Sequence, residues 1–524
     1  MAIKKYIADK DNTVTNAFGV DISTRATGSN MGSADILEVF SIYGQQTLAS
    51  STNIGSAELS RVLVQFPIST ISSDRTAGTI PASGSVNFYL RMFNARHSEQ
   101  LPKNFTVNVL AVSQSWEEGR GLDMEGYTDK TKDSIEGSNW TNRTKSDKWG
   151  KQGGEYHSSS YEGAKTMPNY TYTFAEGYED MELDVTSAVE EWIASTKDNY
   201  GFGVFLTSSQ EAYTSNSSGL DNGPVLHNPD GQKTSYYTKR FFSRSSEFFF
   251  KKPAIEARWD SRIRDDRGYF YYSSSLAPAS DNLNTLYFYN YVRGQLRDIP
   301  AIGVDKIELS IYSGSADDTG PNSSFGKLAL SAGGGVVADG DYNVTGGWVS
   351  TGIYSASFAF TGSTTLKTIY DVWHSGSIEY KTGSIRPSTL NSPNWNQYNQ
   401  YVSKITNLKP KYVKNEQARF RVFIRSRNWS PNIYSVASKD LENTIIMSAS
   451  YEILRMVDER TVVNNSTGSA TNHTYLSYDV SGSYFDLDMS LLEPGYLYGI
   501  KLAYHVAGQW REQEEVFKFR VEDN

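Results

Sequence analysis

Short stretches in which apolar and polar residues alternate recur along this whole chain, and they constrain its fold more than any other feature. "ADILEVFSIYG" (Ala34–Gly44), "RVLVQFPIS" (Arg61–Ser69), "SVNFYLRMFNA" (Ser85–Ala95) and "NFTVNVLAVSQSW" (Asn104–Trp116) send successive side chains to opposite faces. A period of two belongs to half-buried strands. "YGFGVFLTSS" (Tyr200–Ser209) and "PAIEARW" (Pro253–Trp259) extend the series. "MELDVTSAVEEWIAS" (Met181–Ser195) interrupts it. There Leu183, Val185, Ala188, Val189 and Trp192 share one helical face, and Asp184 or Thr186 can cap the start. Alternation resumes in "NTLYFYNYVRGQL", "VDKIELSIYSG" and "LKTIYDVWHSG", and again in "ARFRVFIRSR", "SASYEILRMV" and "LYGIKLAYHV". The chain therefore reads as all-β with one short helix.

At roughly 100–200 residues per domain, 524 residues suggest about three to four domains. The charged run Asp260–Gly268 reads as a linker, and a polar, aperiodic stretch precedes Ile405. The expected organisation is three tandem β-sandwiches, over 1–260, 261–405 and 406–524, the second of them Ig-like. The net charge of −9 includes no basic stripe, which argues against nucleic acid as a partner. No stretch approaches the roughly 20 apolar residues of a membrane helix, so no membrane insertion is expected. The sequence has no cysteine, which points to folding in a reducing compartment. "MAIKKYIADKDNTVT" has lysines but no apolar core after them, so no signal peptide is expected there.

Three chemistries compete for "WEEGRGLDMEGYTD" (Trp116–Asp129). Glu117, Glu118, Asp123, Glu125 and Asp129 could supply the paired carboxylates of a glycosidase. They could also supply oxygen ligands to calcium, although the spacing is not that of an EF-hand. The favoured reading is a surface loop closing one end of a sandwich, with Trp116 buried, because clustered acids on a glycine-rich segment usually form a solvated face. The six histidines are scattered, with no HExxH, and no nucleophile elbow or P-loop occurs. No catalytic residue is assigned, and the chain is expected not to be an enzyme. Trp140, Trp149, Tyr156 and Tyr161 lie in the long polar insertion. They are candidates for surface or glycan contact, since exposed aromatics suit interfaces and sugar faces; loop packing is the competing reading.

The order of elements in the first half carries a resemblance. Asn30-Met31-Gly32 precedes a strand; Arg61, Leu63 and Phe66 lie on the next; Trp116-x-Glu118-Gly119 follows. Asp184-Val185-Thr186 opens a helix containing Trp192, Asn199-x-Gly201 precedes Leu206, and Ser243-Arg244 comes before the last strand. This succession resembles the DNRLRE, or disaggregatase-related, domain family. The resemblance implies a jelly-roll sandwich like that of carbohydrate-binding modules, with Trp116 and Trp192 structural. It also raises Asp9 and Asp11, otherwise an Asx turn, as ligands of a structural calcium; no other cofactor is implied. "LLEPGYLYGI", with Leu492, Pro494, Gly495 and Tyr498, resembles the tyrosine corner of fibronectin type III domains. Taken together, "MAIKKYIADKDNTVTNAF", "STGIYSASF" and "DVSGSYFDLDMSLLEPGYLYGIKLAY" resemble virion proteins of marine tailed phages, the T-even-like cyanophages.

That last resemblance implies a non-enzymatic structural or accessory protein of the tail, neck or capsid surface, made in the host cytoplasm and localised to the virion. Its partners would be other virion proteins, in a homo-oligomer or symmetric array, with a host-surface glycan as a further contact. The alternatives are a carbohydrate-binding surface protein and, after it, a polysaccharide depolymerase.

Overall fold

The computed structural model describes residues 2–19, 25–47, 53–55, 57–96, 101–122, 137–157, 167–214, 225–315, 319–322, 324, 326–333, 342–360, 366–387, 400–430, 433, 443–466 and 472–523. They form two compact units that divide after Asp260. The regular structure is almost wholly strand.

The first unit contains β1 (Ile3–Ile7), β2 (Lys10–Thr15), β3 (Ile36–Ile42), β4 (Gln45–Thr47), β5 (Asn53–Gly55), β6 (Glu58–Gln65), β7 (Val86–Met92), β8 (Phe105–Ala111), β9 (Tyr170–Phe174), β10 (Met181–Asp184), β11 (Phe202–Leu206), β12 (Tyr236–Phe242) and β13 (Ala254–Trp259). Among the described residues, one sheet runs β1-β13-β7-β10 and the other β12-β3-β6-β11-β8-β9, with β2 also on β6. Val62, Val64, Val107, Val109 and Val204 of the larger sheet share one core with Phe88, Leu90 and Ile255 of the smaller. Strand β6 is buried on both faces. Leu59 and Leu63 point the other way, into a second cluster with Val14, Val112, Trp116, Trp140, Trp149 and Leu226. A strand covered on both sides reads as a nearly continuous apolar run, which is why "RVLVQF" is so hydrophobic.

Among the described residues of this unit there are two short helices, α1 (Ile68–Thr76) and α2 (Thr186–Ile193), where the sequence suggested one. α1 has only Ile68 and Ile71 as buried residues, too few to give a helical period. It is fastened to α2 by a bidentate pair between Arg75 and Glu190, at 2.6 and 2.7 Å. α2 begins later than the periodicity predicted. Met181–Asp184 is a strand on β7, with Met181 opposite Met92. The helix starts only after Asp184 Oδ1 has accepted the Thr186 N–H and hydroxyl.

The second unit holds two sandwiches. The first comprises β14 (Asn284–Tyr289), β15 (Tyr291–Val292), β16 (Gln295–Leu296), β17 (Ile307–Ser313), β18 (Val344–Ser350), β19 (Ile353–Phe358), β20 (Ile369–Ser375) and β21 (Ile378–Ile385). β18 changes layers: Val344–Gly346 pairs with β17, and Gly347–Ser350 with β19. β14-β19-β18 thereby faces β17-β20-β21, and Phe288 meets Trp373 between them at 5.8 Å.

The second sandwich comprises β22 (Tyr401–Ile405), β23 (Lys411–Val413), β24 (Gln417–Ser426), β25 (Ala449–Arg455), β26 (Arg460–Val463), β27 (Ser477–Asp479), β28 (Gly482–Asp488), β29 (Leu497–Val506), β30 (Gln509–Glu512) and β31 (Phe517–Glu522). Its sheets run β22-β24-β28-β27 and β23-β31-β29-β25-β26. These correspond to the ABED and GFC faces of an immunoglobulin-type sandwich. β23 pairs in parallel with β31. Tyr498 is fully buried and its hydroxyl donates to Glu493 O at 2.7 Å, across the corner before β29.

The charged run read as a linker behaves differently over Ile263–Arg267. Ile263 O accepts the Tyr478 N–H and Tyr478 O accepts the Asp265 N–H, at 3.0 and 3.1 Å. Asp266 accepts from Tyr478 Oη at 2.8 Å and from the Thr285 amide at 2.7 Å. Arg267 makes a bidentate pair with the fully buried Asp371, whose Oδ2 also accepts the Trp373 indole N–H at 2.8 Å. This segment is a peg held by both sandwiches of its unit. Asp265, Asp266 and Arg267 are drawn inward because each has a partner of opposite charge or a hydrogen-bond donor, while Arg264 stays exposed.

Candidate functional site

The motifs that lie far apart in the first 244 residues meet at the β2 edge of the larger sheet. Glu118 accepts from Arg244 Nε and Nη2 at 2.5 and 2.6 Å, and from the Asp11 amide at 2.9 Å. Asp11 Oδ2 accepts the Arg244 amide at 2.5 Å. Behind this pair, Asn30 Nδ2 donates to Glu118 O and Ser138 O, both at 2.7 Å, while its Oδ1 accepts from Gly32 and Gly121. Asn12 donates to Ser138 O and Oγ and accepts the Met31 amide. The glycines are required by this closeness. Gly119 has φ +82°, and a Cβ there would lie 2.4 Å from Asn30 Oδ1; one on Gly32 would lie 2.2 Å from Glu118 O.

The result is a polar latch. It fastens the segment after β8, the turn before β3 and the segment after β12 to the second strand. Two carboxylates of the Trp116–Asp129 stretch are engaged. Glu118 is held by the guanidinium, and Glu117 Oε2 accepts the Lys145 amide at 3.0 Å. Asp123, Glu125 and Asp129 lie outside the described residues. The solvated-loop reading is thus corrected for Glu118, whose side chain is only 15% exposed.

Asp9 and Asp11, the candidate calcium ligands, lie at the N-terminal end of β2. Among the described residues, no group of three or more acidic or histidine side chains is placed to hold a metal. Arg244 lies beside both carboxylates, and Lys10 lies beside Asp9 as well. Asp11 is nevertheless uncomfortable as an anion. Its Oδ1 is buried without a hydrogen-bond partner. Burial pushes its carboxyl up to about 7, against the pull of the Arg244 amide and with added repulsion from Glu118. Burial likewise raises Asp9.

The aromatic candidates divide. Trp140 and Trp149 are 0% and 4% exposed, in the second core, so the expectation that they meet a surface ligand is corrected. Residues 137–157 bury them by folding back over the outer face of β6, and Trp149 Nε1 donates to Asn139 O at 2.9 Å. Trp116 sits in the same cluster and donates to Tyr200 O at 2.8 Å. Trp192 is buried in the main core against Phe202, with ring centroids 4.8 Å apart. Tyr156 is half-buried, its ring 4.7 Å from Phe205 and its hydroxyl donating to Gly153 O. Tyr161 lies outside the described residues. Beneath these rings Arg61 is paired with Glu211 at 3.0 Å and packs over Phe205 at 4.6 Å.

One chain of side chains has the composition of a hydrolase triad. Ser310 Oγ lies 2.7 Å from His374 Nε2, and His374 Nδ1 lies 3.3 Å from Glu308. Ser310 is fully buried, and its hydroxyl donates to Asn343 Oδ1 at 2.8 Å. A nucleophile must meet its substrate, so this arrangement is a cross-strand hydrogen-bond chain between β17 and β20. Sequence reasoning missed Asn12, Ser138 and the pairing of Glu118 with Arg244. The available signal was a polar pair, Asp11-Asn12, within a strand pattern where such residues are disfavoured.

No family model and no curated protein matches the chain. Solved structures that match include tandem immunoglobulin modules. A titin A168169 structure is 7% identical, with 49% of this chain and 93% of that one covered and a TM-score of 0.14. The DIP-gamma IG1+IG2 structure is 11% identical, covering 46% and 89%, with a TM-score of 0.12. The Ig1-2 module of the Drosophila receptor protein tyrosine phosphatase DLAR is 6% identical, covering 46% and 91%, with a TM-score of 0.14. Likeness at these scores supports no closer relation.

Proposed function

We propose that this chain is a non-enzymatic structural or accessory protein of a tailed-phage virion, built from successive β-sandwiches that assemble with other virion proteins. The observation that carries this reading is the latch. The residues whose order resembles a known domain family, Asn30, Gly32, Glu118, Gly119 and Arg244, are engaged with one another inside the fold. They fasten a scaffold and offer no open reacting group. The cysteine-free composition suits a protein that matures in a reducing cytoplasm. Virion membership itself rests on the sequence resemblance.

Gold-labelled antibody against the chain, imaged on purified particles from its source, tests the reading. Label at a fixed position on the particle is expected. Label confined to cells or to the soluble fraction would overturn it.

A further inference from the structure

Lys239 lies on β12 with its side chain buried inside the first unit. Its Nζ donates to Asn94 Oδ1 at 2.8 Å, to Gly177 O at 2.9 Å and to Glu179 O at 2.7 Å. The rings of Phe174 and Phe241, both fully buried, lie 4.3 and 5.4 Å from it and shield it from water. Burial pushes its pKa down to about 8, against the pull of Glu179 and Asp180. A lysine moved this far carries an appreciable share of neutral amine, and a neutral amine is a nucleophile.

The amine faces a carboxamide that the backbone holds in place. Asn94 follows β7 of the smaller sheet and is bridged to Phe241 on β12. The Phe242 amide donates to Phe93 O at 3.0 Å and the Ala95 amide to Arg240 O at 2.9 Å, one on each side of the bridge. An ammonium offers one N–H to each of its three acceptors. Once a proton leaves, the two N–H that remain suit the two backbone carbonyls, and the lone pair is directed at Asn94. An amide is a poor electrophile, but fixed proximity stands in for a high concentration of nucleophile. A carboxylate is also at hand. Asp180 Oδ1 accepts the Asn94 N–H at 2.7 Å, and its charge reaches the Lys239 ammonium. The Glu179 carboxylate is occupied by the Glu176 and Gly177 amides, at 2.6 and 2.7 Å.

We propose that Lys239 and Asn94 join in an isopeptide bond, with Asp180 carrying the proton. Lys239 Nζ bonds to Asn94 Cγ, and the bond from Cγ to Nδ2 breaks. One proton passes from Nζ to Nδ2 by way of the Asp180 carboxylate, and ammonia leaves. The step needs no oxidant and no further reactant. The bond ties β12, at the edge of the larger sheet, to the end of β7 in the smaller, between residues 145 positions apart. The inference goes beyond the virion reading and stands whether or not that reading holds.

Intact mass spectrometry of the purified full chain, left to mature and then denatured, tests this. The chain is expected to weigh less than its sequence by one ammonia. A digest should yield one peptide in which the segments around Asn94 and Lys239 are linked. Lys239→Met and Asn94→Ala should each restore the full mass and abolish the linked peptide. Asp180→Asn keeps an acceptor for the Asn94 amide but cannot carry the proton, and should slow the loss of ammonia by about a hundredfold or more. The native chain itself decides the question, so a variant that folds poorly leaves the test intact. The proposal is overturned if the native chain keeps its full mass, or if the deficit maps elsewhere, as to a succinimide at Asn222-Gly223. It is overturned equally if Asp180→Asn loses ammonia as fast as the native chain.

Discussion

"WEEGRG" and "RIRDDRG" look alike in the sequence: acidic and basic residues mixed, a glycine close by, and little apolar content. Both suggest a solvated connection. Both are fasteners, and they differ in how completely each charge is met. In the peg, Asp371 is 0% exposed and takes Arg267 and the Trp373 indole together. In the latch, Glu118 takes Arg244, whose side chain is 36% exposed, and Asp11 keeps one oxygen without a partner. A mixed-charge segment can therefore be internal whenever the fold gives each charge its complement. The completeness of pairing predicts how much the unit depends on it.

The largest effect is expected at the peg. Asp371→Ala leaves Arg267 buried and unpaired and should destabilise the second unit by about 3–5 kcal/mol. Urea unfolding followed by tryptophan fluorescence would read this, and Asp371→Leu combined with Arg267→Met should recover most of the loss. Glu118→Ala should cost less, about 2–3 kcal/mol in the first unit, because water can reach part of Arg244. Equal losses at the two sites would break the comparison. Gly119→Ala forces a left-handed alanine against Asn30 and should cost about 2 kcal/mol. Gly119→Ala added to Asn30→Ala would show less than the sum of the two losses, since both disrupt one contact.

The smallest effect is a slope. Asp11 is raised to about 7 and Asp265 to about 6, burial being the main cause at each. Between their ordinary carboxylate range near pH 4 and these raised values, the folded chain holds protons that the unfolded chain has released. Stability contributed by these groups is therefore full below about pH 4 and falls as pH rises through the window. The slope is at most about 1.4 kcal/mol per pH unit for each group. Asp11→Asn, which keeps an acceptor for the Arg244 amide, should flatten the slope up to about pH 7 in the first unit. Asp265→Asn should flatten it only up to about pH 6 in the second. Melting curves across this range check both, and an unchanged slope in Asp11→Asn would show that the unpartnered oxygen of Asp11 carries no cost in the latch.

The strand pattern was legible because alternation is local. Ser85–Ala95 contains β7, and Asn104–Trp116 contains β8, with only the ends trimmed. The peg was not legible, because its partners Asp371 and Tyr478 lie more than 100 residues away and nothing local marks them. Trp140 and Trp149 misled for a related reason. An aperiodic polar insertion hides a core when its few large rings insert into the outer face of a sheet built elsewhere in the sequence. Lys239 is the sharpest case. On β12 it shares a face with buried Phe241 and is itself 1% exposed. Asn94 Oδ1, Gly177 O and Glu179 O surround its ammonium at 2.7–2.9 Å, and burial still pushes its pKa down to about 8. Polarity rules would place a lysine outside; three acceptors from distant segments make the interior position tolerable.

The parallel pairing of β23 with β31 has a mechanical meaning. Lys411, Tyr412 and Val413 lie opposite Arg520, Val521 and Glu522, one strand near the start of the last sandwich and the other at its end. Tension applied along the chain across this sandwich pulls these two strands past each other lengthwise. Their ladder is loaded in shear, so its hydrogen bonds must give way together and cannot be peeled apart singly. The β15–β16 hairpin, antiparallel and closed at one end, would open bond by bond under a pull on its two arms. A short parallel clasp thus gives the final sandwich a resistance to stretching that its modest ladder would not suggest.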